Sequence, residues 1–384
     1  MARPQRIAVV GAGAWGLPAA AVLAGRGHAV TLLDRAGPAH RLASSAGPTR
    51  IWRLAHPDRL RVRLARRGTQ AWRRLEAASG RALLLETGLL WRGEGRVEVA
   101  AALAAEGVPH EEVAAAEVGR VFPGLRADGL DAVWQPEAGA VLAADAMAAQ
   151  LALLLARGGI VVEGSAVTAL EPRADGVRVV TGSAVLDVDA VVVAAGPWSR
   201  PLLVPLGVDV PLRTVVQQVS YVGGPQDEGL PCLIEVPASG PALYAMPTPG
   251  RGYKIGIDAE LRTLDTDRDD MDPDRTPSPR ADALVSARVA RDLPGMSPVV
   301  TGSDVCVWTY GPAGELVVDT AADGRVVYAC GDSGEGFKFS ALMGEVLADL
   351  AEGRTPDADV AALGLGRFGG ALPPPPPVEA LGRI

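Results

Sequence analysis

Three sets of residues have types and spacing that could do chemistry: a glycine cluster near the N terminus, two isolated lysines and three scattered cysteines. Gly11, Gly13 and Gly16 have the spacing G-x-G-x-x-G, and Asp34 closes the next apolar run. Gly11 permits a tight turn, Gly13 lets the backbone approach a pyrophosphate, and Gly16 lets a helix pack closely on a strand. N–H groups at the start of that helix favour phosphate. Asp34 can accept from ribose hydroxyls and would repel a 2′-phosphate, which argues against NADP. The pattern predicts a bound dinucleotide and does not choose between FAD and NAD.

Of the 37 lysines and arginines, only Lys254 and Lys338 are lysines. With so much Ala and Gly, the chain has taken Arg wherever any cation would serve. A lysine retained under that bias marks a place where a compact ammonium fits and a planar guanidinium does not. Cys232, Cys306 and Cys330 are odd in number and form no CxxC pair, so neither a disulfide framework nor a zinc site is expected. His28, His40, His56 and His110 lack ligand spacing, and no metal is expected. The aspartates at 265, 267, 269, 270, 272 and 274 lack the spacing and terminal Glu of a calcium loop.

The elements that must position these groups can be read along the chain. With 384 residues, 48% of them hydrophobic, the chain can bury a large core, and its net charge of −8 with no basic block gives nucleic acid no foothold. Residues 7–24 carry no charge, which approaches a membrane-spanning length. The glycines break that stretch into a strand and a helix, with Pro18 in the helix's first turn, so a buried unit in a cytoplasmic protein is expected. Strand 7–10, helix 17–26 and strand 29–33 form a parallel β-α-β unit. Helices are predicted at 69–79, 97–117, 143–157 and 341–352, and extended chain at 81–91. Short strands are predicted at 160–163, 167–171, 177–181, 185–188, 191–195 and 326–330. Alternating patterns at 212–222, 232–236, 243–247 and 253–257 indicate antiparallel strands. Residues 263–279 read as a charged loop leading into a helix, and the prolines at 373–377 as an extended arm. The fold class is therefore α/β. One discontinuous nucleotide-binding domain (1–84, 140–211 and 303–384) is expected to bracket an inserted antiparallel substrate domain (85–139 and 212–302).

Several further blocks resemble the monomeric sarcosine oxidase family, among the D-amino-acid-oxidase-type flavoproteins, over nearly the whole chain. Gly47-Pro48-Thr49-Arg50-Ile51-Trp52-Arg53 is similar to the family's G-x-T-R-x-x-R loop. Val167 matches a valine at the adenine, and Ala194 to Trp198 match the second dinucleotide-side turn. Val305 to Thr309 match the block where the family attaches FAD through a cysteine thioether, and Gly331 to Ser340 match the C-terminal signature that closes on the flavin. The resemblance implies a glutathione-reductase-type FAD domain and an amine or amino-acid oxidase producing hydrogen peroxide. It implies cofactor contacts from Gly11, Gly13, Gly16, Asp34, Arg35, Ser44, Thr49, Arg50, Val167, Gly196, Trp198, Gly334, Gly336, Phe337 and Lys338, with FAD covalent at Cys306. It gives Lys254 to oxygen activation, Arg53 and Lys338 to a substrate carboxylate, and Arg50 to the reduced flavin. Molecular oxygen and a small amine are the implied partners of a monomer.

The substrate pocket departs from the family pattern. Ala46, Asp258 and Glu335 stand where sarcosine-handling members carry histidines, and Trp308 and His56 replace tyrosines; Tyr244 matches a pocket tyrosine. The two acids predict a carboxylate substrate that also carries a distant cationic or hydrogen-bond-donor group. The pattern leaves open secondary, cyclic and primary amines. Other readings are a flavin-dependent dehydrogenase or desaturase, a non-catalytic flavoprotein and, weakest, a nicotinamide dehydrogenase.

Overall fold

In the computed structural model, which describes residues 3–266, 271 and 273–376, the uncharged stretch 7–24 is divided as its glycines dictate. Strand Arg6–Val10 turns into helix Gly16–Gly25, and the chain returns along strand Ala29–Leu33, parallel to the first from Arg6↔Ala29 to Val10↔Leu33. The sheet they start has the order Val317–Ala321, Val326–Cys330, Ala190–Val193, Arg6–Val10, Ala29–Leu33, Ile160–Val162. All neighbours are parallel except the outer pair Val317–Ala321 and Val326–Cys330. A parallel sheet is covered on both faces, which is why these runs are apolar throughout. Ile7 and Val9 pack into a core with helices Gly16–Gly25, Ala143–Ala156 and Ser340–Ala351. Ala8 and Val10 point the other way, against Leu170, Val177 and Val179 of a three-stranded meander. Among the described residues no helix is long and apolar enough to cross a membrane.

A second sheet has nine strands among the described residues, and Arg213–Val222 is its hub. That strand pairs with Gly252–Ile257, with Arg262–Leu264 and, from Arg213↔Tyr310 to Tyr221↔Gly302, with Gly302–Tyr310. Gly302–Tyr310 thus joins the large sheet, although the expected boundary at 303 gave it to the nucleotide half. Leu243–Thr248, Cys232–Val236, Leu89–Gly93, Ala132–Gln135 and Glu111–Val113 complete the order.

Three predicted elements need correction. The helix predicted at 69–79 starts ten residues earlier and spans Arg59–Ser79; the Asp58 side chain accepts from Arg61 N at 2.8 Å and caps it. Dense arginines hid its first turns. The helix predicted over 97–117 is Arg96–Ala105 only. Gly107, at φ +63°, and Pro109 end it, and Glu111–Val113 is a strand against Ala132–Gln135. The extended stretch 81–91 divides into Leu84–Leu85 and Leu89–Gly93 around Gly88, at φ +77°. In 263–279 the chain first continues the strand Arg262–Leu264 and ends at Ser278, which caps helix Pro279–Asp292. Asp267, Asp269, Asp270 and Asp272 lie outside the described residues, as does Pro377. Within the proline arm, Pro374 O accepts from Ala313 N at 3.1 Å.

Candidate active site

The first turn after Arg6–Val10 is shaped by what its glycines leave out. Gly11 has φ +100°, and a Cβ there would lie 2.4 Å from Ala194 O. A Cβ on Gly16 would lie 1.9 Å from Gly11 O, so helix and strand close only on glycine. Gly13 differs: a Cβ there would meet only Ser45 Oγ, at 3.6 Å, so its backbone faces open space. Asp34 braces the turn, accepting from Ala12, Ala36 and Gly37 N at 2.8 Å each. Its two oxygens have roughly four acceptor sites, which leaves room for one more donor.

A long cleft opens on this turn. Gly11, Gly13, Asp34, Arg35 and Ser44 line one end, with Val167, Gly196 and Trp198. The Arg35 guanidinium lies over the Trp198 ring, 4.5 Å from its centroid. Ser44 Oγ and Trp198 Nε1 are buried there with no hydrogen-bond partner among the described residues. Buried polar atoms are nearly always paired, so both call for a polar ligand. Bare backbone at a helix start, a braced acid and two orphan polar atoms fit a dinucleotide. At its far end the cleft is lined by Arg50, Trp308, Gly334, Gly336 and Phe337. Gly16 and Thr49 lie behind its wall.

A second, inner cavity shares Arg50, Trp308, Gly334 and Phe337 with the cleft. Its wall is one face of the large sheet. Period-two alternation brings Asp304, Cys306 and Trp308 of one strand to that face with Val219 and Tyr221 of the next. Tyr244, Met246 and Lys254 arrive from the adjoining pair. The Tyr244 ring crosses Gly256, where a Cβ would lie 2.2 Å from it, and tilts against Trp308 with centroids 5.9 Å apart. The opposite wall comes from the loop that carries Ala46 and Gly47 and from Arg53, Glu335 and Lys338.

Lys254 is 2% exposed, and its Nζ donates to Thr49 O. Burial holds its ammonium well below the ordinary range; Arg50 adds to this, while Cys306 and Asp304 oppose it. Arg50 is tied to its own loop, donating to Thr49 O and Ser44 O at 2.9 Å and to Ala46 O. Cys306 is half-buried. Burial pushes its thiol up, and Arg50 and Lys254 pull against that shift.

The second cation group behaves differently. Arg53 is 2% exposed and donates to Ala55 O, and its Nη2 meets Glu335 Oε1 at 3.1 Å. Burial lowers it to about 10, so it stays charged at neutral pH. Burial lowers Lys338 to about 7, against the field of Glu335 and with that of Arg53 and Arg61. Arg61, missed in the sequence, reaches Glu335 Oε2 through Nε at 3.2 Å. Nothing in its residue type separates it from the other arginines; the Asp58 cap, which orients the first turn of its helix, was the available signal. Asp304 and Tyr221 were also missed, although counting by twos from Cys306 gives Asp304.

Two expected pocket residues do not line the inner cavity. His56 is fully buried behind Arg53 and stacks on Phe339, with centroids 6.1 Å apart. Burial, then Arg53 and Lys338, hold its imidazole well below the usual range. Neutral His56 can accept from Arg53 Nη1 at Nδ1, 3.2 Å away. Asp258 is 7% exposed, its Oδ1 has no hydrogen-bond partner among the described residues, and burial lifts it to about 7. Since Asp258 is off the cavity and the Glu335 carboxylate is held by Arg53 and Arg61, the paired acids do not form the expected receptor for a distant cation.

Comparison with known proteins agrees with this architecture. The family model for FAD dependent oxidoreductases of the DAO type matches residues 6–350. The chain is 28% identical over 378 residues to the peroxisomal sarcosine oxidase of Mus musculus, covering 94% of this chain and 95% of that one. It is 30% identical over 368 residues to a monomeric sarcosine oxidase of Streptomyces avermitilis, covering 90% and 93%. In structure it is similar to NikD, an unusual amino acid oxidase essential for nikkomycin biosynthesis, with TM-score 0.83, 26% identity and coverage of 98% and 99%.

Proposed function

The chain belongs to the family of FAD dependent oxidoreductases, and on that premise we propose that it oxidises the C–N bond of a small carboxylate-bearing amine and passes the electrons to oxygen. FAD, when bound, supplies the hydride acceptor and the route to oxygen. The observation that carries this reading is the inner cavity, with one buried lysine on the sheet face and a buried Arg–Lys pair across from it. The cleft and the cavity share a wall, which supports a nucleotide in the first and a reacting ring at the junction.

In this reading each side chain has one task. Gly11 and Gly13 bring backbone to the pyrophosphate, and Asp34 takes a ribose hydroxyl. Arg35 and Trp198 hold the adenine end with Val167. Arg53 and Lys338 bind the substrate carboxylate by charge-assisted hydrogen bonds. Tyr244 and Trp308 wall off water beside the amine. Lys254 holds positive charge where oxygen takes up electrons, Arg50 supports negative charge at the shared wall, and Cys306 fixes the ring by a thioether. The segments 1–84, 140–211 and the part of 303–384 after Tyr310 form the FAD half, and 85–139 with 212–302 and strand Gly302–Tyr310 the substrate half, in a monomer.

The test is turnover by purified holoprotein. N-methyl amino acids, cyclic imino acids and primary amino acids are offered in turn, and hydrogen peroxide and dye reduction are both followed. Peroxide from one class is the expected result. Dye reduction without peroxide would make the protein a dehydrogenase, and neither would make it a non-catalytic flavoprotein.

A pH dependence follows from Lys338. Its pKa near 7 sits among Glu335, Asp332, Arg53 and Arg61. The protonated form binds carboxylate, so KM is expected to rise as pH climbs through 7, approaching about tenfold per unit until the Lys338 contribution is lost. A Lys338→Met variant is expected to have a high KM that is flat from pH 6 to 9. Steady-state kinetics across that range check it; an unchanged slope in the variant would remove Lys338 from carboxylate binding.

A further inference from the structure

Glu335 is the one acid among the described residues that both lines the inner cavity and touches the carboxylate-binding cations. Its Oε1 accepts from Arg53 Nη2 at 3.1 Å. Its Oε2 lies 3.2 Å from Arg61 Nε and 4.0 Å from Lys338 Nζ. Lys338 also donates to the Glu335 backbone O at 3.1 Å. The other cavity acid, Asp304, is committed to the sheet side, accepting from Tyr221 OH at 2.5 Å and Arg251 Nη1 at 3.0 Å.

The η nitrogens of the two arginines have protein partners, while Arg61 Nε meets Glu335 as an ion pair and makes no hydrogen bond among the described residues. Arg53 Nη1 donates to Ala55 O. Arg61 Nη1 and Nη2 bind Asp58 and Glu315 at 2.9 and 2.8 Å. The Nη1–Nη2 edge of Arg53 is therefore occupied by protein groups, Ala55 O and His56 Nδ1 at Nη1 and Glu335 at Nη2. The position where Arg53, Arg61 and Lys338 converge is filled by a carboxylate of the protein's own.

On the reading of the site given above, we propose that Glu335 is a place-holder for the substrate carboxylate. It neutralises the buried cations in the free enzyme, and a carboxylate ligand binds by exchanging with it. Three charged donors without an acid would be costly in so dry a site, because a buried charge needs a partner. The side chain is 13% exposed and borders the cavity, so it can leave toward open space while the arginines stay fixed. The exchange makes the enzyme selective: a weak or badly placed carboxylate fails to displace Glu335, whereas one also held by its amine succeeds. Glu335 is a specificity-determining residue in this view and takes no part in the chemical step.

The test uses holoprotein and two simple carboxylates, acetate and pyrrole-2-carboxylate, with acetamide as neutral control. Binding is read from perturbation of the flavin absorption spectrum and, independently, from the rise in Tm, since a ligand that binds only the folded state raises stability with concentration. Glu335→Gln keeps the shape and removes the charge. It is expected to bind both carboxylates at least about tenfold more tightly than wild type, which is 1.4 kcal/mol, with acetamide unaffected. Glu335→Ala serves as the second variant and is expected to behave alike. With the preferred amine, KM is expected to fall in both variants by a larger factor than any change in kcat. Equal or weaker carboxylate binding in both variants would overturn the proposal. Arg53→Met separates it from the underlying reading: if carboxylate binding is lost there but not improved in the Glu335 variants, the cation site stands and the place-holder fails. If Arg53→Met binds carboxylate as wild type does, the site assignment itself fails.

Discussion

Replacing Lys254 by methionine is expected to slow the passage of electrons to oxygen by about 10²–10³-fold, the usual loss when a preorganised charge or donor is removed from a water-excluded site. Reduction by the amine is expected to be largely unchanged. Lys254 comes from strand Gly252–Ile257, opposite the wall that carries Arg53 and Lys338, so the two tasks are separated across the cavity. Burial and Arg50 make its proton easy to lose, while Cys306 and Asp304 favour keeping it. Negative charge developing nearby moves that balance toward the ammonium, because an opposite charge within a few ångströms favours the charged form. Lysine can thus meet charge that appears only during the reaction. Arginine, tied into planar contacts as Arg50 is, would be charged throughout and bulkier.

The competing reading is structural, since Lys254 also donates to Thr49 O and joins the sheet to strand Thr49–Trp52. Lys254→Gln keeps a donor and removes the charge. Stopped-flow mixing of the reduced variants with oxygenated buffer distinguishes the two: a charge role slows both variants, and a tie to Thr49 slows methionine alone. If both variants reoxidise at the wild-type rate while amine turnover falls, Lys254 belongs to substrate positioning.

Much of this arrangement was legible in the sequence because it rests on local rules. Gly11, Gly13, Gly16 and Asp34 fix a turn by backbone geometry, and their consequences stay within a few residues of themselves. The pairing of Gly302–Tyr310 with Arg213–Val222 was out of reach, because its partners are far apart in the chain and the period-two pattern of each names a face but no neighbour. The predicted helix over 97–117 failed for the opposite reason: runs of Ala and Glu favour a helix, and Gly107 with Pro109 outweighed them. Charge partners were the least legible feature. Glu335 lines the inner cavity, but which cations surround its carboxylate depends on Arg61 arriving from a separate helix. In a chain where nearly every cation is an arginine, no single one announces itself.

Replacing Cys306 by alanine is expected to release all of the flavin on acid precipitation, while wild type keeps its yellow colour in the pellet. Two cysteines border the cofactor region, and the physical case separates them. Cys330 lines the outer cleft but is 1% exposed, and burial alone pushes its thiol up to about 12. Cys232 lines neither cavity and is buried in strand Cys232–Val236. Cys306 is half-buried on the cavity face, and Arg50 and Lys254 counter the effect of burial on its thiol. The thiolate is the nucleophile, and its formation is favoured beside cations. Cys330→Ala and Cys232→Ala are therefore expected to retain the colour. Because the cleft offers noncovalent contacts along its whole length, the Cys306 variant is also expected to bind FAD reversibly, and dialysis with added FAD should restore its spectrum. Colour lost from Cys330→Ala but kept in Cys306→Ala would move the attachment to the outer cleft. Colour released by wild type would leave a noncovalent flavoprotein, with Cys306 a wall residue of the amine pocket.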